Sequence, residues 1–229
     1  DPSGMVVADF NGDMIPDMAV AMSGTSSSDG GISVLIGDGK GGFADNNFAT
    51  GNDNPWGITS GDFNGDGVLD LAVTSVNYAS VAPVRDVKIW LGNLDALGKG
   101  TGKFTLGGKT STLAGDPLAA VSGNFDAGNN LDLIVGTQGS TSLHVGDGKG
   151  GFSNGVLVVG SSFLNASHLA TGDFNNDGYL DFANSAAAFL NNKLGNFERK
   201  TSLLSGGSIA AGDINNDNKL DIVSASLTR

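Results

Sequence analysis

Short runs of small apolar and β-branched residues alternate with runs rich in Gly, Asn and Asp along the whole chain. No segment keeps apolar residues at helical spacing long enough to bury one face of a helix, so almost no helix is expected. The apolar runs read as strands and the polar runs as the turns that join them. Candidate first strands are Met5–Ala8, Ile58–Gly61, Ala119–Val121, Leu169–Thr171 and Ile209–Ala211. Second strands include Leu71–Val73 and Leu133–Val135. Third strands lie at Ile32–Ile36, Val87–Leu91, Leu143–Val145 and Ala187–Leu190, with fourth strands at Phe43, Phe104, Phe152 and Phe197.

Between each first and second strand one nine-residue phrase returns five times. The copies are Asp9-Phe10-Asn11-Gly12-Asp13-Met14-Ile15-Pro16-Asp17, Asp62-Phe63-Asn64-Gly65-Asp66-Gly67-Val68-Leu69-Asp70 and Asn124-Phe125-Asp126-Ala127-Gly128-Asn129-Asn130-Leu131-Asp132. Asp173-Phe174-Asn175-Asn176-Asp177-Gly178-Tyr179-Leu180-Asp181 and Asp213-Ile214-Asn215-Asn216-Asp217-Asn218-Lys219-Leu220-Asp221 complete the set. The period averages about 51 residues, with four strands in each of the first four units, which suits the blades of a β-propeller. The fold class expected is all-β: four-stranded antiparallel blades at about 5–52, 53–115, 116–163 and 164–205, and half a blade at 206–229. The last unit holds two strands, so the array is expected to belong to a larger ring, about 357 residues if seven-bladed. Phe10, Phe63, Phe125 and Phe174 sit at one phase of the repeat and are expected to anchor the core between blades.

Composition narrows the chemistry. Twelve basic against 24 acidic residues leave a net charge of −12, which disfavours nucleic acid as a partner. There is no Cys, which excludes disulfides and thiolate metal sites. No apolar run is long enough for a membrane helix, so no membrane insertion is expected. The five phrases hold 14 of the 24 acids. In Asp62–Asp70 the oxygen-bearing side chains fall at loop positions 1, 3, 5 and 9, with Gly67 at position 6 and a backbone carbonyl available at position 7. This is calcium spacing: Ca²⁺ takes six to eight hard oxygens, and a tight loop brings alternate side chains to one point. Crowded carboxylates repel one another without a cation. Mg²⁺ suits such a loop less well because it keeps its waters, and two His give zinc or copper little to hold.

Other motifs carry less. Gly37–Gly42 and Gly146–Gly151 formally match a phosphate-binding glycine pattern, but no helix follows and each reads as a hairpin turn. His144 and His168 read as half-buried or surface strand residues. Trp56, in the loop Asn52–Trp56, is the best single candidate for a ligand contact.

The phrases Gly61–Val73 and Gly172–Asp181 resemble the FG-GAP, or VCBS, repeat family, and the resemblance covers essentially the whole chain. It implies a propeller with calcium in the loop joining the first two strands of each blade, as in integrin α-subunit heads, a family of fungal lectins and many secreted bacterial proteins. Carried over by position, the ligands are Asp9, Asn11, Asp13, Ile15 and Asp17; Asp62, Asn64, Asp66, Val68 and Asp70; Asp173, Asn175, Asp177, Tyr179 and Asp181; and Asp213, Asn215, Asp217, Lys219 and Asp221. Ile15, Val68, Tyr179 and Lys219 contribute backbone carbonyls. Blade 3 departs, with Asn124 at position 1 and Gly128 at position 5, leaving Asp126 and Asp132 as its charged ligands. Blade 1 departs less, with Met14 at the glycine position. The leading functional reading is a calcium-dependent, extracellular or cell-surface binding or adhesion module for a glycan or protein, with no catalytic residues. The ring would be completed by further blades of a parent chain or by self-association. The alternatives are a scaffold segment of a secreted polysaccharide-active enzyme and a purely structural module of a surface protein.

Overall fold

The structure, a computed structural model, describes residues 1–24, 30–49, 53–78, 82–110, 115–160, 166–202 and 207–225. These contain strands and turns and no helix. Blade 1 is β1 (Pro2–Ala8), β2 (Asp17–Met22) and β3 (Gly31–Gly37), with an outer strand broken into β4 (Phe43–Asp45) and β5 (Phe48–Ala49), both paired to β3. Blade 2 is β6 (Asn54–Gly61), β7 (Asp70–Asn77), β8 (Val84–Leu94) and β9 (Gly100–Lys109). Blade 3 is β10 (Pro117–Gly123), β11 (Asp132–Thr137), β12 (Ser140–His144) and β13 (Val156–Gly160). Blade 4 is β14 (Leu169–Gly172), β15 (Asp181–Asn184), β16 (Ala187–Asn191) and β17 (Phe197–Ser202). A two-stranded sheet of β18 (Ile209–Gly212) and β19 (Asp221–Ser224) follows. Each sheet is an antiparallel meander in sequence order. First strands pack together in succession, β1 on β6, β6 on β10, β10 on β14 and β14 on β18. The all-β propeller of four-stranded antiparallel blades expected from the sequence pattern is the fold observed.

The register is the same in all five sheets. The residue before the acidic phrase pairs with its ninth residue: Ala8 with Asp17, Gly61 with Asp70, Gly123 with Asp132, Gly172 with Asp181 and Gly212 with Asp221. The phrase is thus the connecting loop plus the first residue of the second strand. Second strands β7, β11 and β15 are buried almost throughout, whereas β2 alternates buried and half-buried. Continuous burial needs a sheet covered on both faces, which explains the near-continuous apolar runs.

The core lies between blades. Phe10, Ala19, Ile32, Ile58, Leu71 and Val73 fill the first interface, Phe63, Ala72, Val87, Ile89, Leu133 and Val135 the second, and Phe125, Ile134, Leu143, Phe182 and Phe189 the third. The loop phenylalanines cross these interfaces edge-on to outer residues of the next blade: Phe10 to Phe104 at 5.7 Å, Phe63 to Phe152 at 5.4 Å and Phe125 to Phe197 at 6.2 Å between centroids. Phe174 departs from this expectation. It is only half-buried, because among the described residues no outer strand follows to receive it. Ile214, its equivalent in the fifth sheet, is 60% exposed.

The glycine before the phrase is required by close approach. A Cβ at Gly61 would stand 2.7 Å from Leu131 and 2.9 Å from the ring of Phe63. Leu131 is the eighth residue of the next phrase, and Leu180 and Leu220 stand in the same way against Gly123 and Gly172; the first phrase is preceded by Ala8 instead.

Three local expectations change. The outer strand of blade 3 does not begin at Phe152, which makes only an isolated bridge to Gly146; β13 starts at Val156. His144 causes this: it is fully buried, not half-buried or at the surface, and its ring lies where a side chain at position 155 would stand. Its Nδ1 lies 3.3 Å from the Ser153 carbonyl, which can only accept, so Nε2, 3.0 Å from Ser142 Oγ, accepts from the hydroxyl. Burial pushes its pKa down. His168 is exposed. Trp56 lies not in a loop but in β6, at a register bulge between Pro55 and Ile58, with 37% of its surface exposed.

This packing predicts a sharp contrast. Phe63→Ala should lower unfolding free energy by about 3–5 kcal/mol, as large core truncations do, and Ile214→Ala should change it by less than about 0.5 kcal/mol. Urea denaturation at fixed calcium concentration measures both, and equal losses would contradict the interface assignment.

Candidate metal loops

Four of the five phrases fold around their first residue. In blade 2, Asp62 accepts hydrogen bonds from the amides of Gly65 (2.7 Å), Asp66 (3.1 Å) and Gly67 (2.9 Å). Asp66 accepts from the Val68 amide (2.9 Å) and from the Asn64 side-chain amide (2.9 Å), while Asn64 Oδ1 accepts from the Asp66 amide (3.0 Å). Blade 1 repeats these bonds through Asp9, Asn11 and Asp13, with the Ile15 amide on Asp13 at 2.8 Å. Blades 4 and 5 repeat most of them through Asp173, Asn175, Asp177 and the Tyr179 amide, and through Asp213, Asn215, Asp217 and the Lys219 amide.

Winding a loop this tightly needs left-handed residues at positions 4 and 6. They are Gly12 and Met14 (φ 73° and 66°), Gly65 and Gly67 (77° and 86°), Asn176 and Gly178 (58° and 87°), and Asn216 and Asn218 (61° and 63°). Asn tolerates this region better than most residues; Met14, which is 91% exposed, does not. Blade 3 has no left-handed residue in its loop. Asn124 Nδ2 donates to the Gly128 carbonyl at 2.7 Å, and the Gly128 amide donates to Asp126, so this loop takes a different course.

The ninth residue turns inward. Asp17, Asp70, Asp132 and Asp181 are fully buried. One oxygen of each accepts the amide of the phrase's second residue: Phe10 (2.9 Å), Phe63 (2.9 Å), Phe125 (2.8 Å) and Phe174 (2.8 Å). The other accepts an amide at the end of the third strand: Gly37 (2.8 Å), Gly92 (2.8 Å), Gly146 (2.9 Å) and Asn191 (2.8 Å). Asp221 makes the first of these bonds, to the Ile214 amide at 3.1 Å. Phe10, Phe63 and Phe125 also offer their carbonyls to the next blade, to the amides of Gly102 (3.2 Å) and Gly150 (2.9 Å) and to Asn191 Nδ2 (2.8 Å) respectively.

Burial pushes the Asp70 carboxyl up to about 6; the Gly92 and Phe63 amides oppose the shift, and the charges of Asp66 and Asp62 reinforce it. Asp132 and Asp181 shift up for the same leading reason, with Asp126 beside the first and Asp177 and Asp173 beside the second. Positions 1 and 5 thus press negative charge on position 9.

The structure brings the side chains of positions 1, 3 and 5 together in each of loops 1, 2, 4 and 5 and sets position 9 against the backbone behind them. With the third carboxylate turned away, the described residues contain no group of three His, Asp or Glu side chains disposed to hold a metal ion. The outward set is two carboxylates and one amide oxygen per loop. These are all hard oxygens, which fits Ca²⁺ with its further ligands from backbone carbonyls and water. Each carboxylate has about four lone-pair positions, so the bonds to loop amides leave capacity for a cation.

The glycine-rich hairpins are filled by their own anion. Asp38 accepts the amides of Lys40 and Gly42, both at 2.8 Å, and Asp147 those of Lys149 (2.8 Å) and Gly151 (2.9 Å). These bonds hold both carboxyls below their usual range, and no phosphate is needed to satisfy the turn.

Four antiparallel four-stranded blades and a two-stranded fifth sheet, with acidic loops at one repeated place, define a β-propeller. The FG-GAP-like repeat matches residues 9–73 and 124–184, more than half of the chain, and the chain belongs to that family. No curated protein matches it. Among solved structures, a lectin of Agrocybe aegerita described for recognition of non-reducing terminal N-acetylglucosamine is similar at 13% identity and TM-score 0.42, covering 95% of this chain and 73% of that one. The V. cholerae biofilm matrix protein Bap1 is similar at 14% identity and TM-score 0.47, covering 96% of this chain and 34% of its own.

The inward carboxylate is testable without any metal. In chelator, Asp70→Ala should strand the amides of Phe63 and Gly92 and lower stability by about 2–5 kcal/mol, at about 1–3 kcal/mol for each buried orphan. Asp221→Ala, which frees a single amide in a more open sheet, should lose about 1 kcal/mol or less. Urea melts in chelator compare them, and equal small losses would remove the structural role of position 9.

Proposed function

We propose that this chain is a calcium-stabilised, non-catalytic binding or adhesion module that works outside the cell or at its surface on a glycan or protein ligand. The observation that carries this reading is the fourfold recurrence of one left-handed loop with outward oxygens at positions 1, 3 and 5. Turn formation alone does not require the same oxygens each time. Weak loops of this kind fill in extracellular calcium, whereas cytosolic calcium is too low for them. Six of the ten acids outside the loops support a non-catalytic reading because they are engaged in structure. Asp38, Asp95 and Asp147 cap hairpins, and Asp53, Asp86 and Asp116 pair with Lys88, Lys109 and Arg85.

Calcium would lie on the side chains of Asp9, Asn11 and Asp13 and their counterparts in loops 2, 4 and 5, where it neutralises carboxylates that otherwise repel. Loops 2 and 4, with Gly67 and Gly178 at position 6, should bind most tightly, followed by loop 5 with Asn218 and loop 1 with Met14. Loop 3 should bind last or not at all.

Thermal melts with calcium and with chelator test this reading. One site at a hundred times its dissociation constant adds about 2.7 kcal/mol, so the melting temperature should rise clearly with calcium; coincident curves would contradict it. Calorimetric titration should give four ions per chain. Asp62→Ala should remove one of them and Asp126→Ala none, and a count unchanged by Asp62→Ala would refute the ligand assignment.

A further inference from the structure

Between the acidic loop of one blade and the loop and hairpin of the next runs a crevice. Between blades 1 and 2 it is a pocket of about 150 Å³ beside Asp9, Gly12 and Val68. Between blades 3 and 4 it opens to about 470 Å³, within the size range of small-molecule sites, about 300–1,000 Å³. The enlargement has a local cause. Loop 3 lacks the position-5 carboxylate and the left-handed winding of its neighbours, so it does not close over the crevice.

What lines the opening is chemically mixed. Asn124 and Asp126 stand on one side, Tyr179 and Leu180 on the other, and Lys193 and Leu194 come from the β16–β17 hairpin. The buried Asn124 Oδ1 has no hydrogen-bond partner. Lys193 sits over the Tyr179 ring at 4.6 Å. Its backbone is left-handed, with φ 79°, where the equivalent hairpin positions of blades 1 and 3 carry Gly39 (69°) and Gly148 (67°). A lysine held in a conformation that glycine occupies elsewhere points to a use for its ammonium.

We propose that this crevice binds an uncharged, hydroxyl-rich ring, a neutral saccharide residue. Asp126 accepts from hydroxyls, Lys193 donates to them, and Leu180 and Leu194 meet the apolar face of the ring. One carboxylate and one ammonium in the same opening disfavour either sign of net charge on the ligand. The proposal rests on the binding-module reading and gives it a ligand class and a place.

The test uses the whole chain in calcium. Methyl glycosides of glucose, galactose, mannose and N-acetylglucosamine are titrated by ligand-observed NMR, with glucuronic acid and glucosamine glycosides as charged comparisons. At least one neutral glycoside should bind more tightly than the charged ones. Lys193→Gly should keep or raise the melting temperature, because it relieves the strained backbone, and still weaken binding about tenfold, the loss of one hydrogen bond to a charged group. Asp126→Ala should weaken it similarly, and Lys40→Met, in the hairpin of blade 1, should not. Full-strength binding by both crevice variants would place the ligand elsewhere and sink this site while leaving the module reading intact. Binding of charged glycosides alone, or of none, would sink the saccharide assignment and leave the module reading to a protein ligand.

Discussion

One buried carboxylate per blade holds the architecture together. The ninth residue of each phrase opens the second strand, accepts the amide of the loop's second residue, and in the four full blades also ties down the end of the third strand. This fixes three elements of one sheet at a single point. It also sets the direction of the second residue, whose ring and carbonyl in the first three blades both reach the following blade. Packing between blades therefore depends on a polar contact within each blade. The acidic loop remains one-sided as a result, with its structural carboxylate behind and its free oxygens in front.

That division explains why a chain so acidic can fold as a stack of thin sheets. Burial of Asp70 raises its pKa, and the neighbouring Asp62 and Asp66 add to the penalty. Two backbone amides offset part of it. A divalent cation in front of the loop would offset more, by removing the like charges that bear on the buried group. Loop 3 shows the alternative: with Gly128 and Asn124 in place of two carboxylates, repulsion is reduced at its source, the winding is lost, and the crevice beside it opens.

Much of this was legible in the sequence because the repeat is strict. The period, the strand count per unit and the place of the acidic loops follow from five phrases in register. Two fine features of the loops were also legible: the departure of blade 3 and the core role of Phe10, Phe63 and Phe125. What escaped detection depends on tertiary neighbours. Asp70 and Asp66 look alike in sequence, yet one faces the backbone and the other faces out, a difference set by the position of Gly92. Phe174 carries the same motif as Phe63 but lacks a following outer strand among the described residues. His144 sits in an ordinary strand pattern, and only Gly155 opposite it signals a buried ring. Lys193 stands out only once its backbone angle is known.

On the proposed reading, loops 1, 2, 4 and 5 are cation sites and loop 3 is not. Anomalous diffraction from crystals grown with calcium and then exchanged to a heavier lanthanide tests it most directly. Peaks are expected in front of Asp62 and Asp173 at the lowest ion concentration, then at Asp213 and Asp9, with none at Asp126. A peak at loop 3 with none at loop 2 would contradict it.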